Sequence, residues 1–176
     1  MAEISNPRKS ALKIIQNQEQ YDRAQILNAI FDLRHSATLG DEAFLYPLLQ
    51  HPDDGIVASV LYSLVNVYEK RTELEGLLRQ LAWGDERDCG EMPIQSIAIS
   101  SLSQVAKQNY EILHQLQEIA ESLSVSDVPG ERAWKELATL FGVEWKKGYT
   151  AEMIQDPDSE ESERIRDLVR AAMRGV

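Results

Sequence analysis

The stretch Gly40–Tyr68 reads GDEAFLYPLLQHPDDGIVASVLYSLVNVY. Phe44, Leu45, Leu48 and Leu49 recur at steps of three and four, which puts them on one face of a helix. His51-Pro52-Asp53-Asp54-Gly55 holds the breakers that end it, and Asp53 or Asp54 is placed to cap the helix that follows. That second helix carries Ile56, Val60, Ser63, Leu64 and Val67 on its inner arc, while Ser59, Tyr62, Asn66 and Glu69 form a narrow polar strip. Its apolar residues span more than half the circumference, as expected of a helix held between neighbours.

Working outward, similar pairs recur. Before Gly40, Ala11, Ile14 and Ile15 mark a short amphipathic helix, with Asn6-Pro7 as cap and first position. A helix over about Tyr21–His35 follows, with Ile26, Ala29, Ile30 and Leu33 as its arc. After the polar break Glu69-Lys70-Arg71-Thr72, Leu74, Leu77, Leu78 and Leu81 predict another helix, closed by Trp83-Gly84. The loop GDERDCGEMP leads to a helix with Ile94, Ala98, Ser101, Leu102 and Val105. Ile112, Leu113, Leu116 and Ile119 open a fourth pair, and beyond the turn SLSVSDVPGE its second helix carries Ala133, Leu137 and Leu140. Ile30, Leu64, Leu102 and Leu137 occupy matching positions, 34, 38 and 35 residues apart. A near-constant period made of two helices predicts an α-solenoid.

The pattern apolar-x-x-x-small-x-x-small-apolar-x-x-apolar in the second helices, with Pro47 inside a first helix and aspartates before a second, resembles HEAT repeats over about residues 20–142. The family's arginine just after the opening position of the second helix is matched by Arg23, and replaced by Val57, Gln95 and Gly130 elsewhere. The resemblance implies an all-α, right-handed solenoid of about four helix pairs with a C-terminal capping helix. The single domain 1–176 divides into pairs at 1–39, 40–70, 71–107 and 108–142, then a linker and capping helix at 143–176. In that last part Trp145 and Tyr149 are expected to pack, and Lys146-Lys147-Gly148 to turn. Asp158 with Glu161 reads as a capping box, and Ile165, Leu168, Val169, Ala172 and Met173 as one apolar stripe. An unrelated helical bundle is the alternative.

The chain holds 18 Lys+Arg against 29 Asp+Glu, a net charge of −11, with 43% hydrophobic residues. Such a charge repels phosphate backbones and anionic membranes and speeds encounter with basic proteins, or serves only solubility. One cysteine, Cys89, excludes an intrachain disulfide and any multi-thiolate zinc site. With no signal-peptide pattern and no long apolar run, a cytoplasmic protein is expected.

Catalytic signatures are missing from the sequence: there is no phosphate-binding glycine loop, no Gly-x-Ser-x-Gly, and His35, His51 and His114 lack metal-ligand spacing. Asp156-Pro157-Asp158 resembles the start of a calcium loop, but Glu161 stands where that loop needs glycine. Neither metal nor cofactor is expected. Cys89 lies among acids, which disfavour its thiolate. Trp83, Trp134 and Trp145 read as packing residues, because no basic surface accompanies them to attract a nucleic acid. HEAT-like DNA glycosylases need a positively charged concave face, and this chain is acidic.

What remains is a binding surface. Polar positions opposite the core follow helical steps: Gln25, Asn28, Asp32 and His35; Ser59, Tyr62, Asn66 and Glu69; Ser100, Gln104 and Lys107; Lys135 and Thr139. By the resemblance such stripes align on the concave side, where partners bind. Asp32, Tyr62, Asn66, Glu69 and Gln104 are therefore candidate partner contacts, joined by the loop acids Asp85, Glu86, Asp88 and Glu91. Tyr62 is the expected anchor. The expected function is non-catalytic binding of a basic protein. Small acidic HEAT-like proteins resemble bacterial immunity proteins that occlude a toxin domain, and an adaptor or assembly subunit is the alternative.

Overall fold

Asp53 accepts a hydrogen bond from the Ile56 amide at 3.0 Å and so caps the central helix. The computed structural model describes residues 7–84, 94–123, 128–144 and 160–174, and among them every regular element is helical. In chain order these are α1 (Pro7–Gln16), α2 (Arg23–Ser36), α3 (Asp54–Asn66), α4 (Glu75–Leu81), α5 (Ile94–Ala106), α6 (Tyr110–Ser122), α7 (Val128–Leu140) and α8 (Glu160–Met173). Short 3-10 turns occupy Gln18–Gln20, Asp41–Phe44 and Tyr46–Gln50.

Local chemistry sets most boundaries. Asp22 and Gln25 form a reciprocal capping box at the start of α2, and Asn109 caps α6 through the amides of Glu111 and Ile112. Ala37, in the left-handed region, ends α2. Glu69 takes the same conformation after α3, and the Lys70 amide closes back onto the Leu64 carbonyl at 2.9 Å.

The helices pack in series. α1 lies against α2, α2 against α3, α3 against α5, and α5 against α7. The Tyr46–Gln50 turn packs on α3, α4 on α5, and α6 on both α5 and α7, while α8 rests on α7. Ile30, Leu33, Ile56, Leu61, Leu64, Ile99, Leu102, Leu116 and Leu137 are sealed from solvent in one continuous core. Burying each such side chain stabilises the fold by about 1.5–3 kcal/mol relative to exposure. The arcs expected on α2 (Ile26, Ala29, Ile30, Leu33) and on α3 (Ile56, Val60, Ser63, Leu64) are buried, with Val67 only partly so.

Several expectations are corrected. The residues before α3 form two 3-10 turns instead of one helix. Pro47 has no amide to donate at its start, and Leu45 and Leu48 bond three residues back, to Glu42 and Leu45. Leu45, Leu48 and Leu49 are buried all the same. Val128, Pro129 and Gly130 belong to α7 and not to the turn before it; proline is tolerated in a first turn, where amides lack intrahelical partners. Trp134 is buried as expected, but Trp83 is half exposed beyond the end of α4. On α8, Ile165 and Val169 are buried, whereas Leu168 faces solvent and Arg166 takes a buried place beside Glu163. Trp145, Tyr149, the Lys146-Lys147-Gly148 turn and the Asp158 cap lie outside the described residues.

Charged side chains tie distant segments together. Arg8 of α1 holds the buried Asp41 through a two-pronged pair, Nε to Oδ2 at 2.7 Å and Nη2 to Oδ1 at 2.5 Å. Next to it, Lys70 lies 3.1 Å from Glu42. The Glu42 carboxyl is held below its ordinary value by the hydrogen bond from its own amide, with Lys70 and the Gly40 amide adding to the effect against the penalty of burial. Arg170 binds Glu121 of α6 at 2.8 Å and lies over the Trp134 ring, fastening α8 to the body.

Candidate functional site

The α2–α3 surface is built around Arg34. Its arc-facing neighbours Ile30 and Leu33 are in the core, which leaves Phe31, Arg34 and His35 along the boundary with α3. Arg34 donates to the Ser63 hydroxyl at 3.3 Å and the Ser59 hydroxyl at 3.1 Å, and its guanidinium carbon sits 4.9 Å from the centre of the Tyr62 ring. One turn earlier, Phe31 is 53% exposed and stacks against His35, with ring centres 4.1 Å apart. Tyr62 is 39% exposed. The Arg34 guanidinium and the Tyr62 ring are thus held together at the surface, with Phe31 one turn earlier on α2.

The expected contacts distribute as follows. Asp32 is exposed on α2. Asn66 lies one turn beyond Tyr62, donates to the Tyr62 carbonyl at 3.2 Å and accepts from Arg71 at 3.3 Å. Glu69 is exposed just past the end of α3, and Gln104 is exposed on α5, donating to the Ser100 carbonyl at 3.4 Å. Asp85, Glu86, Asp88 and Glu91, together with Cys89, lie outside the described residues. Parts of the polar stripe turn out to be structural. Gln25 serves the α2 capping box, Ser59 accepts from Arg34, and Ser100 donates to Glu136 of α7 at 2.8 Å. Glu136, at a position where the pattern has a small residue, also accepts from Ser103 at 2.8 Å. Arg23 donates to Asp53, the cap of α3, at 2.8 Å.

No family model matches the chain, and neither a curated protein nor a solved structure matches it.

Sequence reasoning missed Phe31 and Arg34. The signal was available for Phe31, which lies off the Ile26–Ala29–Ile30–Leu33 arc. It was not available for Arg34, whose partners Ser59 and Ser63 come from another helix. A second feature was missed altogether: an open groove of about 540 Å³ between α4 and α6, both of which pack on α5. Arg79 and Trp83 border it on one side, and Tyr110, Glu111, His114 and Glu118 on the other. Its floor is a reciprocal bridge in which Arg79 donates to Gln115 at 2.9 Å and Gln115 donates to the Arg79 carbonyl at 2.7 Å.

Among the described residues, no three His, Cys, Asp or Glu side chains converge as a metal site would need, and no helix is long and apolar enough to cross a membrane.

Proposed function

We propose that the chain is a non-catalytic binding module for a basic protein, and specifically an immunity-type inhibitor that covers the working surface of a toxin domain. The observation that carries this reading is the α2–α3 patch, where Phe31, Arg34 and Tyr62 present half-exposed aromatic groups and a fixed guanidinium. Aromatic residues and arginine dominate binding energy at protein interfaces, and pre-fixed side chains lose less entropy on binding. The exposed Asp32 and Glu69 sit on the same two-helix segment, and the net charge of −11 supplies long-range attraction for a basic partner. Chemistry at the partner's surface would be blocked by coverage, with no bond made or broken.

The architecture is read as a short HEAT-like solenoid. In that reading α2, α3, α5 and α7 are the stacked second helices, and α8 is the cap. The serial packing supports it, as does Arg23–Asp53, a contact of the aspartate–arginine kind that the family uses between neighbouring repeats.

The test is affinity capture from the native source with wild-type and Tyr62→Ala baits, followed by association kinetics. A single strongly basic protein retained by wild type and lost by Tyr62→Ala is expected. Its association rate should fall at least about tenfold between about 50 mM and about 500 mM salt. Capture of a multi-subunit assembly would replace the inhibitor with an adaptor. A salt-insensitive rate would remove the basic partner from the account.

A further inference from the structure

The groove between α4 and α6 is a different surface from the α2–α3 patch. Trp83 is 50% exposed and Tyr110 73% exposed, and both border this one depression. Exposed aromatics scattered singly need no explanation, but two that share a groove expose π-faces where a cation would be attracted. The charges agree. Among the described residues, Arg79 is the one guanidinium bordering the groove, and it is already engaged by Gln115, by Glu111 at 3.3 Å and by Glu75 at 3.8 Å. Among the described residues, the carboxylate of Glu118 pairs with the His114 ring alone, at 3.6 Å, and both side chains are about half exposed. Among the described residues that line the groove, the carboxylates of Glu111 and Glu118 outnumber the guanidinium of Arg79, and a positively charged guest would meet two aromatic faces and a carboxylate together.

We propose that this groove docks an arginine- or lysine-bearing segment of a basic protein, its cationic head lying against Trp83 and Tyr110 with Glu118 as counter-ion. The proposal rests on the reading that the partner is basic, and it assigns a second contact on a surface away from Tyr62. The Arg79–Gln115 bridge fixes the groove's floor, so the guest enters a site that needs no rearrangement. Arginine is favoured over lysine, because its planar head stacks on aromatic rings while its edge pairs with a carboxylate.

The probe is hexaarginine, titrated into the full chain by calorimetry at near-physiological salt, with hexaglutamate as the opposite-charge control. Tyr110 and Glu118 are exposed, so Tyr110→Ala and Glu118→Gln are expected to fold as the wild type does. Each should weaken hexaarginine about five- to tenfold, a loss on the scale of one cation–π or one partly desolvated ion contact. Glu19→Gln makes the same change in net charge at an exposed position outside the groove and should leave affinity within about twofold. Equal weakening by Glu118→Gln and Glu19→Gln would overturn the groove in favour of diffuse attraction. So would groove variants that bind as tightly as wild type, or a wild type that fails to bind hexaarginine. In each of these cases the basic-partner reading is decided separately, by the salt dependence of the captured protein.

Discussion

The guanidinium of Arg34 lies over the Tyr62 ring while two of its nitrogens reach the hydroxyls of Ser59 and Ser63. One side chain of α2 thus fixes three residues of α3, and the exposed aromatic is fixed by the same contact that joins the helices. Replacing Arg34 by alanine is expected to destabilise the fold by about 1–2 kcal/mol, the sum of modest hydrogen bonds and a surface cation–π contact. Arg34→Lys keeps the charge but loses the fork, and should recover only part of that loss. Urea midpoints at neutral pH measure both.

Glu136 makes a second prediction. It accepts hydrogen bonds from Ser100 and Ser103, joining α7 to α5. Hydrogen bonds to a charged acceptor are worth about 1.5–3 kcal/mol, so Glu136→Ala should cost about 2 kcal/mol and Ser103→Ala about half of that. A double-mutant cycle between the two should return a coupling of at least about 0.5 kcal/mol. Additive effects would mean that the bonds contribute nothing.

Two residues of similar hydrophobicity should behave oppositely. Trp134 is buried in the core and carries Arg170 over its ring, so Trp134→Ala should cost about 3–5 kcal/mol. Leu168 faces solvent from α8, and Leu168→Ala should stay within about 0.5 kcal/mol of wild type. Chemical denaturation of the two variants side by side checks the orientation of α8.

The pH dependence has two ends. Glu42 is held below the ordinary carboxyl value, so the folded state favours its charged form. Its contribution is complete above the unfolded value of about 4.3 and is lost as pH falls through the lower folded value. Glu163, lowered by its hydrogen bonds to Arg170 and Arg166, acts in the same direction. At the other end, burial and then the hydrogen bond to Glu73 push the Tyr46 phenol up to about 12. The folded state holds that proton, so the contribution is complete below about pH 10 and disappears as pH rises through about 12. Glu42→Gln should flatten the acid limb of a stability–pH curve. Tyr46→Phe should remove one phenolate from the absorbance step near pH 12.

The apolar arcs of α2, α3, α5 and α6 were legible because burial on one side of a helix leaves a 3.6-residue period. The turns at Asp41–Phe44 and Tyr46–Gln50 were not, since Phe44, Leu45, Leu48 and Leu49 suit an α-helix and tight 3-10 turns alike. Pro47 is the distinguishing residue, because it has no amide to donate at the start of the second turn. The candidate site divides in the same way. Tyr62 and Asn66 could be placed from the spacing of α3 alone. The hold of Arg34 on Tyr62 depends on how two helices meet, and the α4–α6 groove depends on side chains more than two dozen residues apart, such as Trp83 and Tyr110. Composition treats Trp83 and Trp134 alike, and only the ends of the helices decide which one faces water.

The Glu136 contacts also bear on how such a chain can change over evolutionary time. The α2–α3 junction closes with an arginine over serines, and the α5–α7 junction with a glutamate under serines. A helix pair copied from one place and inserted at another would bring the wrong key to its neighbour, leaving a half-buried carboxylate without a donor or a guanidinium without a cradle. Exchange of helices between these two junctions is therefore restricted to changes that rewrite the polar key in the same step.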